Sequence, residues 1–210
     1  MGLEQYRAEV SRQKQEAILQ AALATFLELG YAGTTVDYVA QRAEVSTATL
    51  YKHFPSKADL FGGIMAQVWR SDRVSSTPIP PACAPRDALT LIGQEYAELL
   101  TSPTILALFR VIIAEAPRFP ELGTELYHRG KEPFLKRLQA YLRQKVETGE
   151  LVVEDEAIAT RQFLGMINDL IFWPRFLIVD LALSEADIQN VIDNAVTTFL
   201  ARYKSQAGEQ

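Results

Sequence analysis

The sequence predicts an all-α protein of about nine helices. Three observations carry this. Apolar residues recur at helical spacing from Ile18, Ala22, Phe26 and Leu29 near the start to Ile188, Val191, Ile192, Ala195, Val196, Phe199 and Tyr203 at the end. Strand-type alternation is nearly absent, as are internal repeats and low-complexity tracts. Breakers and capping signals also fall where the apolar stripes stop, at Gly30, Pro55 and Ser56.

The first helix is expected over about residues 8–29, with Gly30 supplying a left-handed cap. Thr34 and Asp37 have capping-box spacing for a short second helix of about 35–42, whose apolar face is Val36, Val39, Ala40 and Ala43. A turn at Ala43-Glu44-Val45 leads into a third helix from Ser46 to about Lys52. Pro55 stops it. Ser56 and Asp59 cap a fourth, made amphipathic to about Arg73 by Leu60, Phe61, Ile64, Met65, Val68 and Trp69. The stretch "VSSTPIPPACAP", residues 74–85, carries four of the ten prolines and reads as a connection between domains. Five further helices are expected at about 86–101, 103–116, 122–148, 154–180 and 184–204. The predicted organisation is a helix-turn-helix domain over 1–73, the connection 74–85, and a second helical domain over 86–210.

Composition narrows the function classes. The chain has 210 residues, 48% of them hydrophobic and 22% charged, as an ordinary globular protein does. Its single cysteine, Cys83, excludes an intramolecular disulfide. The polar start "MGLEQYRAEVSRQKQ" lacks the apolar core of a signal peptide. The most apolar stretch, Phe163 to Leu183, is interrupted by Asp169, Arg175 and Asp180, so it is expected as a buried helix rather than a membrane span. A formal net charge of −5 argues against indiscriminate nucleic-acid binding. Residues 1–60 hold six Lys/Arg and seven Asp/Glu, so any DNA contact must come from a local arrangement.

Such an arrangement exists in "VSTATLYKHFPSKADLF", residues 45–61. Helices two and three, joined by a three-residue turn, form a helix-turn-helix. A recognition helix enters the major groove by its N-terminal residues, which must be short and polar; Ser46, Thr47, Ala48 and Thr49 fit. Leu50 and Phe54 can hold its other side to the core. Tyr51, Lys52, His53 and Lys57 flank this surface as donors suited to phosphate oxygens. Lys57 lies at a helix start, where a cation is unfavourable, which favours an external anion as its partner.

The segment of about residues 12–60 resembles the tetracycline-repressor (TetR) family of bacterial one-component regulators. Phe26, Gly30, Gly33-Thr34-Thr35, Ala40, Val45-Ser46, Leu50-Tyr51, Phe54 and Lys57 carry the resemblance. Residues 109–151 resemble the ligand domains of an AcrR/AefR-like branch. The resemblance implies that Thr35, Tyr51, His53 and Lys57 hold phosphates, with Thr34 beside them, while Ser46 to Thr49 face bases. It further implies a cytoplasmic bacterial homodimer, most often a repressor, released from a pseudo-palindromic operator by a small apolar or amphipathic ligand. Three departures stand out: Glu44 where the family favours a small residue or Gly, Thr47-Ala48 in place of Lys-Gly, and acidic Asp37 in place of a basic residue.

Catalytic and cofactor patterns are poor. Two histidines, His53 and His128, and one cysteine are too few for a typical zinc site. Glu125-x-x-His128 matches half of a di-iron pairing, but no second copy occurs. No metal and no cofactor are therefore expected. Trp69, Phe109, Phe172 and Trp173, with Arg110, Asn168 and Asp169 as polar anchors, are the residues expected at an effector pocket. The two last helices offer more apolar surface than a short bundle needs, so Phe163, Ile167, Ile171, Ile192, Val196 and Phe199 are expected at a dimer interface. The alternatives are a helical interaction module or a bundle enzyme without DNA binding.

Overall fold

The structure, a computed structural model, describes residues 2–71, 79–80 and 82–205. Half of the predicted 74–85 connection, residues 74–78 and 81, therefore lies outside the described residues. The helices are α1 (Leu3–Gly33), α2 (Val36–Arg42), α3 (Thr47–His53), α4 (Lys57–Ser71), α5 (Pro85–Thr101), α6 (Pro103–Glu115) and α7 (Glu121–Glu125). A π-helical turn (Leu126–Lys131) joins α7 to α8 (Glu132–Glu147), followed by α9 (Glu156–Leu177) and α10 (Glu185–Tyr203). Among the described residues the only β pairing is the bridge of Leu151 with Lys204. No single helix among them is long and apolar enough to cross a membrane.

The chain divides into two units, Met1–Val68 with Ala107–Lys131, and Trp69–Leu106 with Glu132–Gln210. This differs from the predicted 1–73 and 86–210 domains, because residues 107–131 join the helix-turn-helix. The cause lies in specific contacts. Glu115 and Glu121 bond Tyr31, and the Arg129 guanidinium bridges Asp59 at 2.9 Å and Glu125 at 2.7 Å. Gly62 admits this bridge, since a Cβ there would lie 2.0 Å from Glu125 Oε2.

The first unit is built on Ile18, Ala22 and Phe26 of α1, Val39 and Ala40 of α2, Leu50 of α3, and Leu60, Phe61 and Ile64 of α4, all buried. Phe26 stacks on Tyr31 with ring centroids 5.4 Å apart, and both meet Phe61 edge-on. Each of the larger side chains among these, Ile, Leu, Val or Phe, contributes about 2 kcal/mol of burial. That anchors three short helices which could not persist alone.

In the second unit α5, α8, α9 and α10 pack on one another. A Cβ on Gly93 of α5 would lie 2.8 Å from Ile192 Cγ2 and 3.3 Å from Ile167 Cδ1, so α9 and α10 both press closely on α5. The six residues expected at a dimer interface (Phe163, Ile167, Ile171, Ile192, Val196 and Phe199) are all buried within one chain. They form its core and leave no surface for a partner, which corrects that assignment. The outward side of α9 carries different apolar residues: Ile158, Leu170, Trp173 and Leu177, the last 72% exposed. The stretch from Phe163 onward is thus buried on one face only.

Candidate nucleic-acid interface

α3 begins as the sequence demands. Ser46 has extended backbone and its hydroxyl accepts the Thr49 amide at 3.1 Å, while Oγ lies 2.8 Å from the Thr49 hydroxyl. Leu50 and Phe54 are buried against the core. The helix therefore presents Ser46, Ala48, Tyr51 and Lys52 outward, with Tyr51 47% exposed. Positions 48, 51 and 52 share one face by helical spacing. Thr47, Thr49 and His53 are half-buried at its edges.

The turn before α3 places Glu44 at φ 55°, in the left-handed region that side chains other than Gly, Asn and Asp rarely enter. This is the physical content of the departure at that position. α2 is tied to α3 by the Thr47 hydroxyl, which donates to Asp37 Oδ1 at 3.0 Å. Acidic Asp37 is thus held by a neighbour at the start of the recognition helix.

Two assignments change. Thr34 is only 2% exposed, and its hydroxyl donates to the Gly30 carbonyl at 2.7 Å, so it cannot reach an external phosphate. The cap of α2 is Thr35, which is exposed and accepts the Tyr38 amide at 3.3 Å. Lys57 turns inward. Its Nζ sits 4.3 Å from the Tyr31 ring centroid and 6.0 Å from that of Phe119. Burial pulls its pKa below the ordinary lysine value, while Glu115 and Glu121 oppose that shift. The partner expected outside the chain is met by aromatic faces and carboxylates inside it. Tyr38, in the first turn of α2, is an exposed aromatic hydroxyl overlooked in the sequence. Its place opposite buried Val39 and Ala40 was the available signal. Ser56 and Asp59 cap α4 as expected, the Asp59 amide donating to Ser56 Oγ at 3.0 Å.

The seven expected pocket residues do not come together within either unit. Phe109 and Arg110 belong to the first and the other five to the second. Arg110 and Asp169 are exposed and Trp173 faces outward, whereas Trp69 and Phe172 are buried. Asn168 is half-buried and its Oδ1 accepts the Tyr96 hydroxyl at 3.4 Å. Alternation along an apolar helix did not reveal which face was closed. Arg175, given no site role from the sequence, has a buried Nη1 with no hydrogen-bond partner among the described residues. The second unit also carries an open cleft of about 650 Å³ lined by Pro85, Arg86, Gly149, Leu200, Ala201 and Lys204. Glu125 and His128 gather no further ligands: no group of three or more His, Cys, Asp or Glu residues able to hold a metal occurs among the described residues.

A short capped helix, seated by Leu50 and Phe54 and presenting a small polar face beside phosphate-type donors, defines a helix-turn-helix DNA-binding protein. The family descriptions agree. "Bacterial regulatory proteins, tetR family" matches residues 18–64, and "AefR-like transcriptional repressor, C-terminal domain" matches 87–205. The chain belongs to the TetR family of transcriptional regulators, and its relatives are regulators rather than enzymes. It is 28% identical over 189 residues to an HTH-type transcriptional regulator of Mycobacterium tuberculosis, covering 90% of this chain and 89% of that one. Over 62 residues it is 39% identical to the regulator RutR of Escherichia coli, 30% of this chain and 29% of that one. Among solved structures it is similar to the flavonoid-responsive regulator FrrA, with TM-score 0.77, 29% identity, and coverage of 92% and 98%. A Pseudomonas syringae TetR-family regulator gives TM-score 0.69 at 30% identity, covering 91% of this chain and 97% of that one.

Proposed function

We propose that the protein is a homodimeric repressor released from a pseudo-palindromic operator by a small, largely apolar effector. The observation that carries the reading is the outward face of α3, where Ser46, Ala48, Tyr51 and Lys52 stand exposed on a helix fixed by its cap and core contacts. Ser46, Thr47, Ala48 and Thr49 read base edges, while Thr35, Tyr38, Tyr51, Lys52 and His53 hold phosphates. Asp37 and Glu44, with the even charge balance of residues 1–60, keep non-specific attraction weak.

The dimer is isologous and uses the outward face of α9, where Ile158, Leu170, Trp173 and Leu177 leave an exposed apolar strip. The effector binds in the second unit. The flavonoid response of the similar regulator FrrA supports an aromatic, amphipathic molecule. Arg175 supplies a buried donor that an effector oxygen would satisfy. Release follows from higher effector affinity for the conformation that does not fit DNA.

Selection of bound sequences from a random DNA pool tests the reading. Enrichment of an inverted repeat with half-sites about 34–36 Å apart is the expected result. Enrichment of nothing, or of sequences without symmetry, overturns it.

A further inference from the structure

The backbone breaks inside α1. Gly30 has φ 71° and ψ 176°, a conformation open essentially only to glycine. A break of this kind strands the amides of the next turn, because their carbonyl acceptors one turn earlier are no longer in line. Here the stranded amides find an acceptor from 83 and 84 residues away. Glu115, the last residue of α6, accepts the Tyr31 amide at 2.6 Å on Oε1 and the Ala32 amide at 2.8 Å on Oε2. Both oxygens of one ionised carboxylate are used, which makes these bonds charge-assisted. Gly30 is needed twice, since a Cβ there would also lie 2.5 Å from Glu115 Oε1.

The consequences run straight into the DNA-facing helices. From the capped turn the Thr34 amide bonds the Tyr31 carbonyl at 3.3 Å, and the Thr34 hydroxyl closes on Gly30. The next residue, Thr35, caps α2. The first turn of α2 then holds α3 through Asp37 and Thr47. A series of bonds thus leads from one carboxylate to the start of α2 and on to the start of α3.

We propose that Glu115 is the positioning residue of the DNA-binding surface, a cap supplied from a distant segment of the same chain that sets where α2 begins and so where α3 points. It rests on the DNA-binding reading above. It also means that the orientation of the recognition helix is fixed by a residue outside residues 1–68.

The test uses the full chain with Glu115→Gln, which keeps the side-chain volume but offers one acceptor and turns an NH2 group toward the second amide. Glu121→Gln serves as the packing and charge control, because Glu121 bonds the Tyr31 hydroxyl at 3.1 Å and acts on the Lys57 charge as Glu115 does, while both amides bond Glu115. Amide hydrogen exchange at Tyr31 and Ala32 is measured alongside operator affinity at two salt concentrations. Glu115→Gln is expected to speed exchange at those two amides and to weaken operator binding by roughly tenfold or more, with a shallower salt slope, while the protein still unfolds cooperatively. Glu121→Gln is expected to leave both readouts near wild type. Unchanged exchange or unchanged affinity in Glu115→Gln overturns the proposal, as does an equal loss in Glu121→Gln, which would mark a packing or charge effect. If the wild-type chain itself selects no DNA, the repressor reading fails and takes the positioning role with it. Wild-type binding matched by Glu115→Gln defeats the positioning role alone.

Discussion

The helix-turn-helix and the α9–α10 pair both show apolar stripes at helical spacing, yet only the first could be assigned a face from its stripe. α2 and α3 have seven residues each, so each has room for a single buried side. What remains must be cap or surface, and Leu50 with Phe54 leave little freedom. α9 has 22 residues and is apolar around most of its circumference. Phe163, Ile167 and Ile171 face inward, while Ile158, Leu170 and Leu177 face out. A long apolar helix announces two faces without saying which one belongs to its own chain.

The largest effect expected from this contrast lies on the inward face. Phe163→Asp buries an unpaired carboxylate where a ring meets Phe199 at 5.6 Å, and should cost about 3–5 kcal/mol. The readout is thermal unfolding followed by circular dichroism, with loss of the folded transition expected. The outward substitution Leu177→Glu should instead leave helical content intact while weakening self-association by about 1–3 kcal/mol. Sedimentation over a concentration series checks it. If Leu177→Glu unfolds the chain and Phe163→Asp only dissociates it, the two faces have been exchanged.

Smaller effects sharpen the reading of the first unit. Ser46→Ala removes the α3 cap and should cost about 1 kcal/mol, seen in denaturant unfolding. Glu44→Gly should gain about 1 kcal/mol by relieving the left-handed backbone, seen as a raised Tm. Lys52→Ala should reduce the salt slope of operator binding by about one per half-site, with little change in sequence preference. The smallest expected effect is pH-dependent. The Ser56 hydroxyl above all holds the Asp59 carboxyl below its ordinary value; burial opposes it, and Arg129 adds to the lowering. A depressed carboxylate contributes stability that is present at neutral pH and lost as pH falls through its folded value, below about 4. Asp59→Asn should flatten that part of the stability profile in acid denaturation.

Much of the helix-turn-helix was legible because its signals are local. Ser46 and Ser56 cap within three residues, Pro55 ends α3, and Gly30 marks the break. Each acts on its own neighbours, through a dihedral angle or a hydrogen bond to the adjoining turn. Lys57 was misread for the opposite reason, and Thr34 because the broken backbone at Gly30 brings its hydroxyl onto a carbonyl four residues back. Both sit at positions where a polar side chain could serve solvent or DNA, and the partners of Lys57 are decided elsewhere. Thr34 is sealed by the fold around Gly30, and Lys57 meets Tyr31 and Phe119 from distant segments. Among the residues expected at a pocket, Arg110 and Asp169 were chosen as polar groups within apolar runs, and both face outward.

The sequence by itself determined an all-helical chain, the caps of α3 and α4, and a short third helix with a small polar leading face. These follow from backbone geometry and from apolar periodicity, which act over a few residues. It did not determine that α1 runs Leu3–Gly33 or that the helix expected over about 122–148 is α7, a π-helical turn and α8. Only the tertiary structure decided that residues 107–131 join the helix-turn-helix, that Glu115 caps Tyr31 and Ala32, and that the inward face of α9 is core. Those outcomes depend on pairings between residues seventy or more positions apart, or between helix faces of equal hydrophobicity. Neither a capping rule nor a period distinguishes such partners. The distinction comes from which arrangement closes the packing and leaves no buried amide without an acceptor.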